Sequence, residues 1–244
     1  MSANPAGPLR AVLASRAFLA PGIVDLVFSM KTPERIAFRP GQFVSFDAGR
    51  DRAGLPHRRS YSIASPRVAD DHLRFIIRVI PDGAASTYLL DLPIGSEVAM
   101  TGPHGFFVLE PAHAGDSLFG TTGTGIAAVM PMLAEMAERR AVPGERRLVF
   151  WGARQESDLF ARPEIEALCR AAGAELRVHL SAPDATWTGA RGRITQPILD
   201  ELPHLTRPIF YLVGNGAMIA ELKRELIARG VDRKKQVRTE AFFD

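Results

Sequence analysis

The sequence changes its period near residue 110, and that change limits the possible folds more than any other feature. Up to that point short strand-like runs follow one another: GIVDLVFSM, QFVSFDAG, RRSYSIAS, LRFIIRVI and SEVAMTG. Turn signals separate them at Pro21-Gly22, Pro40-Gly41, Pro81-Asp82-Gly83 and Pro93-Ile94-Gly95. Many short strands at this spacing predict an antiparallel barrel or sandwich. One helical stretch, ASTYLLDL, interrupts them, and Ser86 or Thr87 is its expected cap. After EPAHAGD, strands alternate with helices. SLFGTTGTGIAAVMPMLAEMAERR reads as strand, glycine turn and helix. RRLVFWGAR, ELRVHLSA, PIFYLVGNG and KQVRTEAFF read as strands; ESDLFARPEIEALCRAAG, ITQPILDEL and AMIAELKRELIARG read as helices. Such alternation predicts a parallel sheet covered on both faces. The expected division is a β-barrel domain over residues 1–112 and an α/β domain over residues 113–244.

Composition narrows the function classes. Hydrophobic residues make up 46% of the 244, enough for sizeable cores. Formal charge is +3, and 26 arginines outnumber four lysines. Arginine suits two-pronged contacts with phosphate or carboxylate. No dense basic run of a nucleic-acid binder is present, so nucleic acid is not an expected partner. The single cysteine, Cys169, excludes an intrachain disulfide and a cysteine-ligated cluster, and EIEALCRAAG places it on a buried helix face. The six histidines show no metal spacing, and no metal is expected. No stretch has the ~18–20 apolar residues of a membrane span. The start, MSANPAGPLR, lacks a signal-peptide core. A soluble cytoplasmic monomer is the expectation.

Two segments carry chemistry. RRSYSIAS, residues 58–65, sets fixed positive charge beside an aromatic ring and hydroxyls on one strand. It reads either as a salt-bridged surface strand or as a site for a ligand with an anionic tail and a flat ring. GTTGTGIAA, from Gly120, lies between a strand and a helix, where exposed amides and the helix dipole favour anions. Its spacing is not GxGxxG, and alone it also fits an ordinary tight turn. FWGAR and YLVGNGAM add glycines at two further strand ends, which suggests a crevice at the carboxyl edge of the sheet.

Four motifs in order resemble the ferredoxin–NADP reductase superfamily of flavin enzymes. RRSYSIAS resembles its flavin-binding Arg-x-Tyr-Ser signature, and TGPHGFF the glycine–proline turn that closes its barrel. GTGIAAVMPML resembles its Gly-Thr-Gly-Ile-Ala-Pro segment, and YLVGNGAM its Cys-Gly-x-x-x-Met segment. The likeness runs from RPGQFVSF to the C-terminus and is greatest to compact bacterial reductases. It favours bound FAD over FMN and implies NADH or NADPH as co-substrate. Arg59 then pairs with flavin phosphate, Tyr61 lies against the flavin ring, and Ser62 bonds near the nitrogen that receives hydride. Ser86 and Thr87 lie under the flavin diphosphate. Gly123, Thr124 and Gly125 receive the nucleotide diphosphate, and Gly214 lies near the nicotinamide. Val213 stands where the family usually carries cysteine. Glu240 relays a proton or tunes charge near the flavin, and Phe242 or Phe243 covers the ring; the alternative for this last segment is a strand whose phenylalanines fill core.

The same resemblance bears on nucleotide choice and acceptor. Relatives selective for NADPH place arginine after a Ser or Thr where this chain has Ser181-Ala182. That favours NADH, although Arg154, Arg191 or Arg193 can still grip a phosphate. The implied activity is a reductase that passes single electrons to a small acidic carrier, such as ferredoxin or flavodoxin, met by a basic face including Arg50, Arg52 and Arg58. A flavin-bearing electron-transfer subunit or redox sensor, and a reductase releasing free reduced flavin, are the alternatives. The set Arg233, Lys234, Lys235 and Arg238 reads as a solvated loop, and Trp151 and Trp187 as packing residues.

Overall fold

A computed structural model of the chain describes residues 8–50, 56–66, 71–81, 83–110, 113–139 and 144–242. The chain divides into two compact units, Met1–Val108 and Leu109–Asp244.

The first unit contains β1 (Leu9–Ala20), β2 (Ile23–Thr32), β3 (Phe43–Arg50), β4 (Pro56–Ser62), β5 (His72–Arg78), α1 (Ala84–Asp91) and β6 (Glu97–His104). The strands form one antiparallel sheet in the order β4-β3-β6-β1-β2-β5. Just beyond β4, the Ala64 carbonyl partner lies on β5: the Ala64 N–H donates to Arg74 O at 2.8 Å, which joins the two outer strands into a barrel. The Arg74 side chain also grips Asp25 on β2, its Nε lying 2.9 Å from Oδ1 and its Nη2 2.9 Å from Oδ2. Sequence reading missed β1. LRAVLASRAFLA is alanine-rich, and only its first half alternates buried and exposed positions.

The barrel core is aromatic at its centre. Phe28, Phe46 and Phe75 come from three strands, with centroid separations of 5.3, 5.9 and 5.0 Å. All three are fully buried. Edge-to-face packing of this kind adds to the burial itself. The expected cap of α1 is corrected: Gly83 is the N-cap and no side chain caps it. Ser86 lies inside the helix, buried, and its hydroxyl accepts the Ile80 N–H at 3.1 Å and donates to Gly83 O at 3.1 Å. Ala84 and Ala85, good helix formers, start the helix before either hydroxyl residue.

The second unit contains β7 (Ser117–Thr122), α2 (Ile126–Glu138), β8 (Arg147–Ala153), α3 (Arg162–Ala171), β9 (Glu175–Leu180), β10 (Ala190–Arg191), α4 (Thr195–Glu201), β11 (Ile209–Asn215), α5 (Gly216–Ala228), α6 (Arg233–Gln236) and β12 (Val237–Phe242). Its sheet is parallel, in the order β10-β9-β8-β7-β11-β12. Leu118, Phe150, Phe210 and Leu212 pack with Ile198 of α4 and Leu222 of α5. Alternation sends Phe119, Trp151 and Tyr211 to the opposite face. There Phe119 stacks on Tyr211 at 4.9 Å, and Trp151 meets Phe160 edge-on at 5.4 Å.

Electrostatic pairs fasten the helices to the sheet. Arg147 and Glu145 form a buried pair, and Arg147 Nη1 donates to Ala172 O at 2.7 Å, at the negative end of α3. Arg177 and Arg146 both donate to Glu201 at the end of α4. Burial raises the Glu201 pKa, but these hydrogen bonds outweigh it and hold the carboxyl below its usual range. Cys169 is buried on α3, and burial, aided by the Glu166 charge, pushes its thiol up to about 11. The solvated loop expected at Arg233–Lys235 is instead one helical turn, because the Asp232 carboxylate accepts the Lys234 and Lys235 N–H groups. Among the described residues no helix is long and apolar enough to cross a membrane.

The aromatic cluster makes the barrel sensitive to truncation at its centre. Phe46→Ala is expected to destabilise the first unit by about 3–5 kcal/mol through lost burial and a residual cavity. Phe106→Ala, at a side chain 94% exposed, is expected to stay within about 0.5 kcal/mol of the parent. Urea denaturation followed by circular dichroism measures both, and equal midpoints for the two variants contradict the packing account.

Candidate functional site

In the first unit the site residues are set by the pairing of β4 with β3. Arg59 lies opposite Phe46, Tyr61 opposite Val44, Ser60 opposite Ser45 and Ser62 opposite Phe43. Alternation therefore gives Arg59 and Tyr61 one face and Ser60 and Ser62 the other. Arg59 is exposed, while Tyr61 is half-buried against the core, edge-on to Phe46 at 5.9 Å. Burial pushes the Tyr61 phenol up, and the Arg59 charge offsets this only in part, so the hydroxyl stays protonated at neutral pH. A cation and a rigid ring two residues apart, roughly 7 Å along a strand, match a phosphate and a planar ring held in one ligand. Ser62 is buried at the end of the strand. The uncapped amides of α1 supply further donors suited to an anion. Thr87 is exposed on this helix, whereas the Ser86 hydroxyl is engaged with Ile80 and Gly83.

In the second unit the strand order reverses between β7 and β11, since β8 pairs on one side of β7 and β11 on the other. Open parallel sheets bind ligands beyond the carboxyl ends of the strands at such a reversal. The two turns there touch backbone to backbone. The Asn215 N–H donates to Thr122 Oγ1 at 2.8 Å. A Cβ at Gly125 would lie 2.8 Å from Val213 O, and one at Gly214 would lie 2.7 Å from Thr122 O. Both positions exclude any side chain. Gly123 is different: its φ is +54°, and a Cβ there would meet nothing within 4 Å. Its outer side is open, as is that of Gly216. Helix α2 starts directly behind this turn, with no side chain capping its N-terminus. The free space, the glycine backbone and the helix start fit a diphosphate.

Trp151 holds this turn in place. It is fully buried at the end of β8, and its Nε1–H donates to Gly123 O at 3.0 Å. Sequence reading gave it a packing role alone; the adjacent glycine in FWGAR was the available signal. Thr122 and Asn215 were missed as well. The register of β12 on β11 sets Glu240 beside Val213 and Phe242 beside Asn215, at the same end of the sheet. Gly123, Thr124, Gly125, Gly214, Glu240 and Phe242 thus lie toward the carboxyl ends of β7, β11 and β12. Farther along the edge, Arg191 donates to the carbonyls of Asp184 and Trp187 at 2.9 and 2.8 Å, which commits its guanidinium to that loop. Arg193 and Arg154 are exposed. Ser181 and Ala182 follow β9 and donate their N–H groups to Ala153 O and Arg154 O. Arg52 and Phe243, and the side chain of Arg50, lie outside the described residues.

Comparison with known proteins agrees with this division. Residues 10–109 match the oxidoreductase FAD-binding domain family, and residues 121–224 match the oxidoreductase NAD-binding domain family. The chain is 31% identical over 232 residues to ferredoxin–NADP reductase B of Sorangium cellulosum, covering 92% of this chain and 93% of that protein. It is 32% identical to the xylene/toluene monooxygenase electron transfer component XylA of Pseudomonas putida, over 92% of this chain but 63% of that longer protein. Its fold is similar to that of the Amycolatopsis cytochrome P450 reductase GcoB, with a TM-score of 0.84 at 24% identity, covering 99% of this chain and 72% of that one. A ferredoxin NADP+ reductase from Neisseria gonorrhoeae superposes with a TM-score of 0.80 at 20% identity, covering 98% of this chain and 100% of that one. The chain belongs to the ferredoxin–NADP reductase superfamily and is an NAD(P)H-dependent flavoprotein reductase, with an FAD-binding domain followed by an NAD-binding domain.

Proposed function

We propose that this reductase passes electrons from NADH or NADPH, through FAD, to a small acidic carrier such as a ferredoxin or flavodoxin. The observation that carries this reading is the likeness, over 93% of its length, to a protein named ferredoxin–NADP reductase. The chain matches only 63% and 57% of the monooxygenase components XylA and the propane 2-monooxygenase reductase of Rhodococcus jostii. When bound, FAD supplies the ability to take two electrons as hydride and release them singly. The chain supplies position and electrostatics. We assign the flavin half to residues 1–112 and the nucleotide half to residues 113–244, working as a cytoplasmic monomer.

Within the flavin half, Arg59 pairs with phosphate, because its planar fork matches phosphate geometry. Tyr61 offers a ring face and a protonated hydroxyl, fixed by its contact with Phe46. Ser62 hydrogen-bonds the ring system from the strand end. Ser86 holds the turn before α1, so that the helix amides and Thr87 meet the diphosphate. Within the nucleotide half, Gly123, Thr124 and Gly125 present their amides to the nucleotide diphosphate, and Trp151 keeps that turn from shifting. Gly214, near the nicotinamide pocket, admits the close approach of Thr122. Val213, in place of cysteine, gives that pocket an apolar wall. Glu240 relays a proton or tunes charge beside it, and Phe242 or Phe243 covers the flavin ring. For the extra phosphate that distinguishes NADPH from NADH, Arg193 and Arg154 are free of the loop contacts that engage Arg191. This arrangement favours NADH without excluding NADPH.

Five outcomes test the reading. The purified chain is expected to be yellow, with about one FAD per chain, to bleach anaerobically with NADH and to regain colour with ferricyanide. Arg59→Ala is expected to weaken FAD retention roughly tenfold through loss of a charge-assisted contact; a colourless chain that takes up no flavin refutes the assignment. Trp151→Phe keeps the bulk and removes one hydrogen bond. It is expected to raise the KM for NADH by about three- to tenfold, with kcat and flavin content close to the parent; a fall in flavin content instead would mean general misfolding. The ratio of kcat/KM for NADH over NADPH is expected to favour NADH by less than about a hundredfold, or about 3 kcal/mol. Arg193→Ala is expected to lower the NADPH value alone, and steady-state kinetics with both nucleotides decides the point.

A further inference from the structure

The amino end of the parallel sheet carries a feature that the reductase chemistry does not use. A groove of about 650 Å3 opens where β11 and β12 begin, between Glu110, His113, the Arg207–Ile209 segment and α6. Arg207, Lys234, Lys235 and Arg238 line it against one carboxylate, Glu110. Glu110 is already engaged, since Arg238 Nη2 donates to its Oε2 at 3.1 Å. The two lysines are half of the chain's four, and both are exposed. The neighbouring Asp232 spends its carboxylate on their backbone N–H groups, and neither ammonium has an ion-pair partner among the described residues.

Arg207 shows that the groove is built rather than incidental. Its φ is +47°, in the left-handed region that costs a non-glycine residue energy and persists only where the surroundings enforce it. The enforcement is visible. Asp116 is buried, and its carboxylate accepts the Arg146 N–H and the Thr206 N–H, each at 2.7 Å. Asp116 also donates its own N–H to Thr206 O at 3.0 Å and accepts from Ile209 at 2.9 Å. Gly115 lets this loop approach, since a Cβ there would fall 2.9 Å from Thr206 O. The Arg207 side chain is then fastened by Nη2 to Ala114 O at 2.5 Å. A cation held this way loses little freedom when an anion binds.

We propose that this groove docks an acidic segment of a partner polypeptide. The charge is complementary, and the floor of Pro208 and Ile209 is buried, which suits the backbone of a short peptide. Among the described residues no Phe, Tyr or Trp lines it for stacking nucleic-acid bases. Among the described residues no exposed apolar side chain lines it for insertion into a lipid surface. It opens at the end of β11 opposite to the glycine turns, about 20 Å away along a seven-residue strand. A docked segment therefore leaves the nucleotide crevice of this unit free.

The test uses the FAD-loaded full chain and a fluorescein-labelled octaglutamate peptide, with binding read by fluorescence anisotropy at low ionic strength. Saturable binding is expected, weakening at least about tenfold when salt is raised to roughly 0.5 M. The double reversal K234E/K235E is expected to raise the Kd at least about tenfold, because two local attractions become repulsions. The matched reversal R224E/R229E, on α5 and at its C-terminal cap, is expected to change it less than about twofold, and NADH–ferricyanide turnover is expected to stay at the parent rate in both. An absence of binding, equal effects of the two reversals, or tighter binding of an eight-residue oligothymidylate or of phosphatidylserine vesicles would overturn the proposal.

Discussion

Two strand-end turns in the second unit meet with only the Thr122 hydroxyl between them, and the arrangement of the nucleotide half depends on that contact. Gly125 lies against the Val213 carbonyl, Gly214 lies against Thr122, and the Thr122 hydroxyl accepts the Asn215 N–H. A methyl group at either glycine would force β7 and β11 apart at their carboxyl ends. Those strands are neighbours at the point where the sheet reverses order. The same contact sets where α2 and α5 begin, since each helix starts within a residue or two of its glycine. Trp151 fixes the third side by bonding to Gly123 O. A crevice lined by backbone amides is useful only if those amides stay in place, and here tight packing fixes them rather than long flexible side chains.

The barrel reaches the same end by other means. The strand that carries Arg59 and Tyr61, β4, is an outer strand of the sheet, where a side chain gains support on one side only. The support for Tyr61 comes from Phe46, which is locked between Phe28 and Phe75. The bond from Ala64 to Arg74 O then ties the end of β4 to β5, and the Arg74–Asp25 pair ties β5 to β2. A ring at an otherwise loose edge is thereby coupled to the least compressible part of the unit. In both halves the proposed binding face is anchored to buried aromatic residues.

The legibility of this structure in its sequence follows the range of the interactions. Periodicity is a local signal, so the switch from strands to alternating strands and helices was readable, as was the glycine turn after β7. The strand β1 was not, because its alanines and arginines carry little β preference and its outer half is exposed. Helix α1 was found, but its start was misplaced: hydroxyl residues suggested a cap, whereas Ser86 bonds backward from inside the helix. The site was legible as motifs and not as mechanics. Gly123, Gly125 and Gly214 were grouped as ligand contacts, although two of them are needed for packing and one for its φ and open face. Trp151 was passed over because its partner, Gly123 O, lies 28 positions away and only the fold brings them together.

Charge shows the same limit most clearly. A count of 26 arginines suggests a broadly basic surface, yet many of these guanidiniums are consumed by the fold. Arg74 closes the barrel seam, Arg147 neutralises a helix end, Arg146 and Arg177 share Glu201, and Arg191 braces a loop through two carbonyls. Multidentate donors suit such tasks because one side chain satisfies several acceptors at once. What remains available for partners is the small set of cations without that work. In the second unit these include the two adjacent lysines of α6, whose single-point charge and flexible stem fit them poorly for bracing. Net charge therefore describes the chain badly, and the distinction that matters is between cations already committed to acceptors and cations left facing water. That distinction turns on hydrogen-bond geometry, which a composition cannot contain.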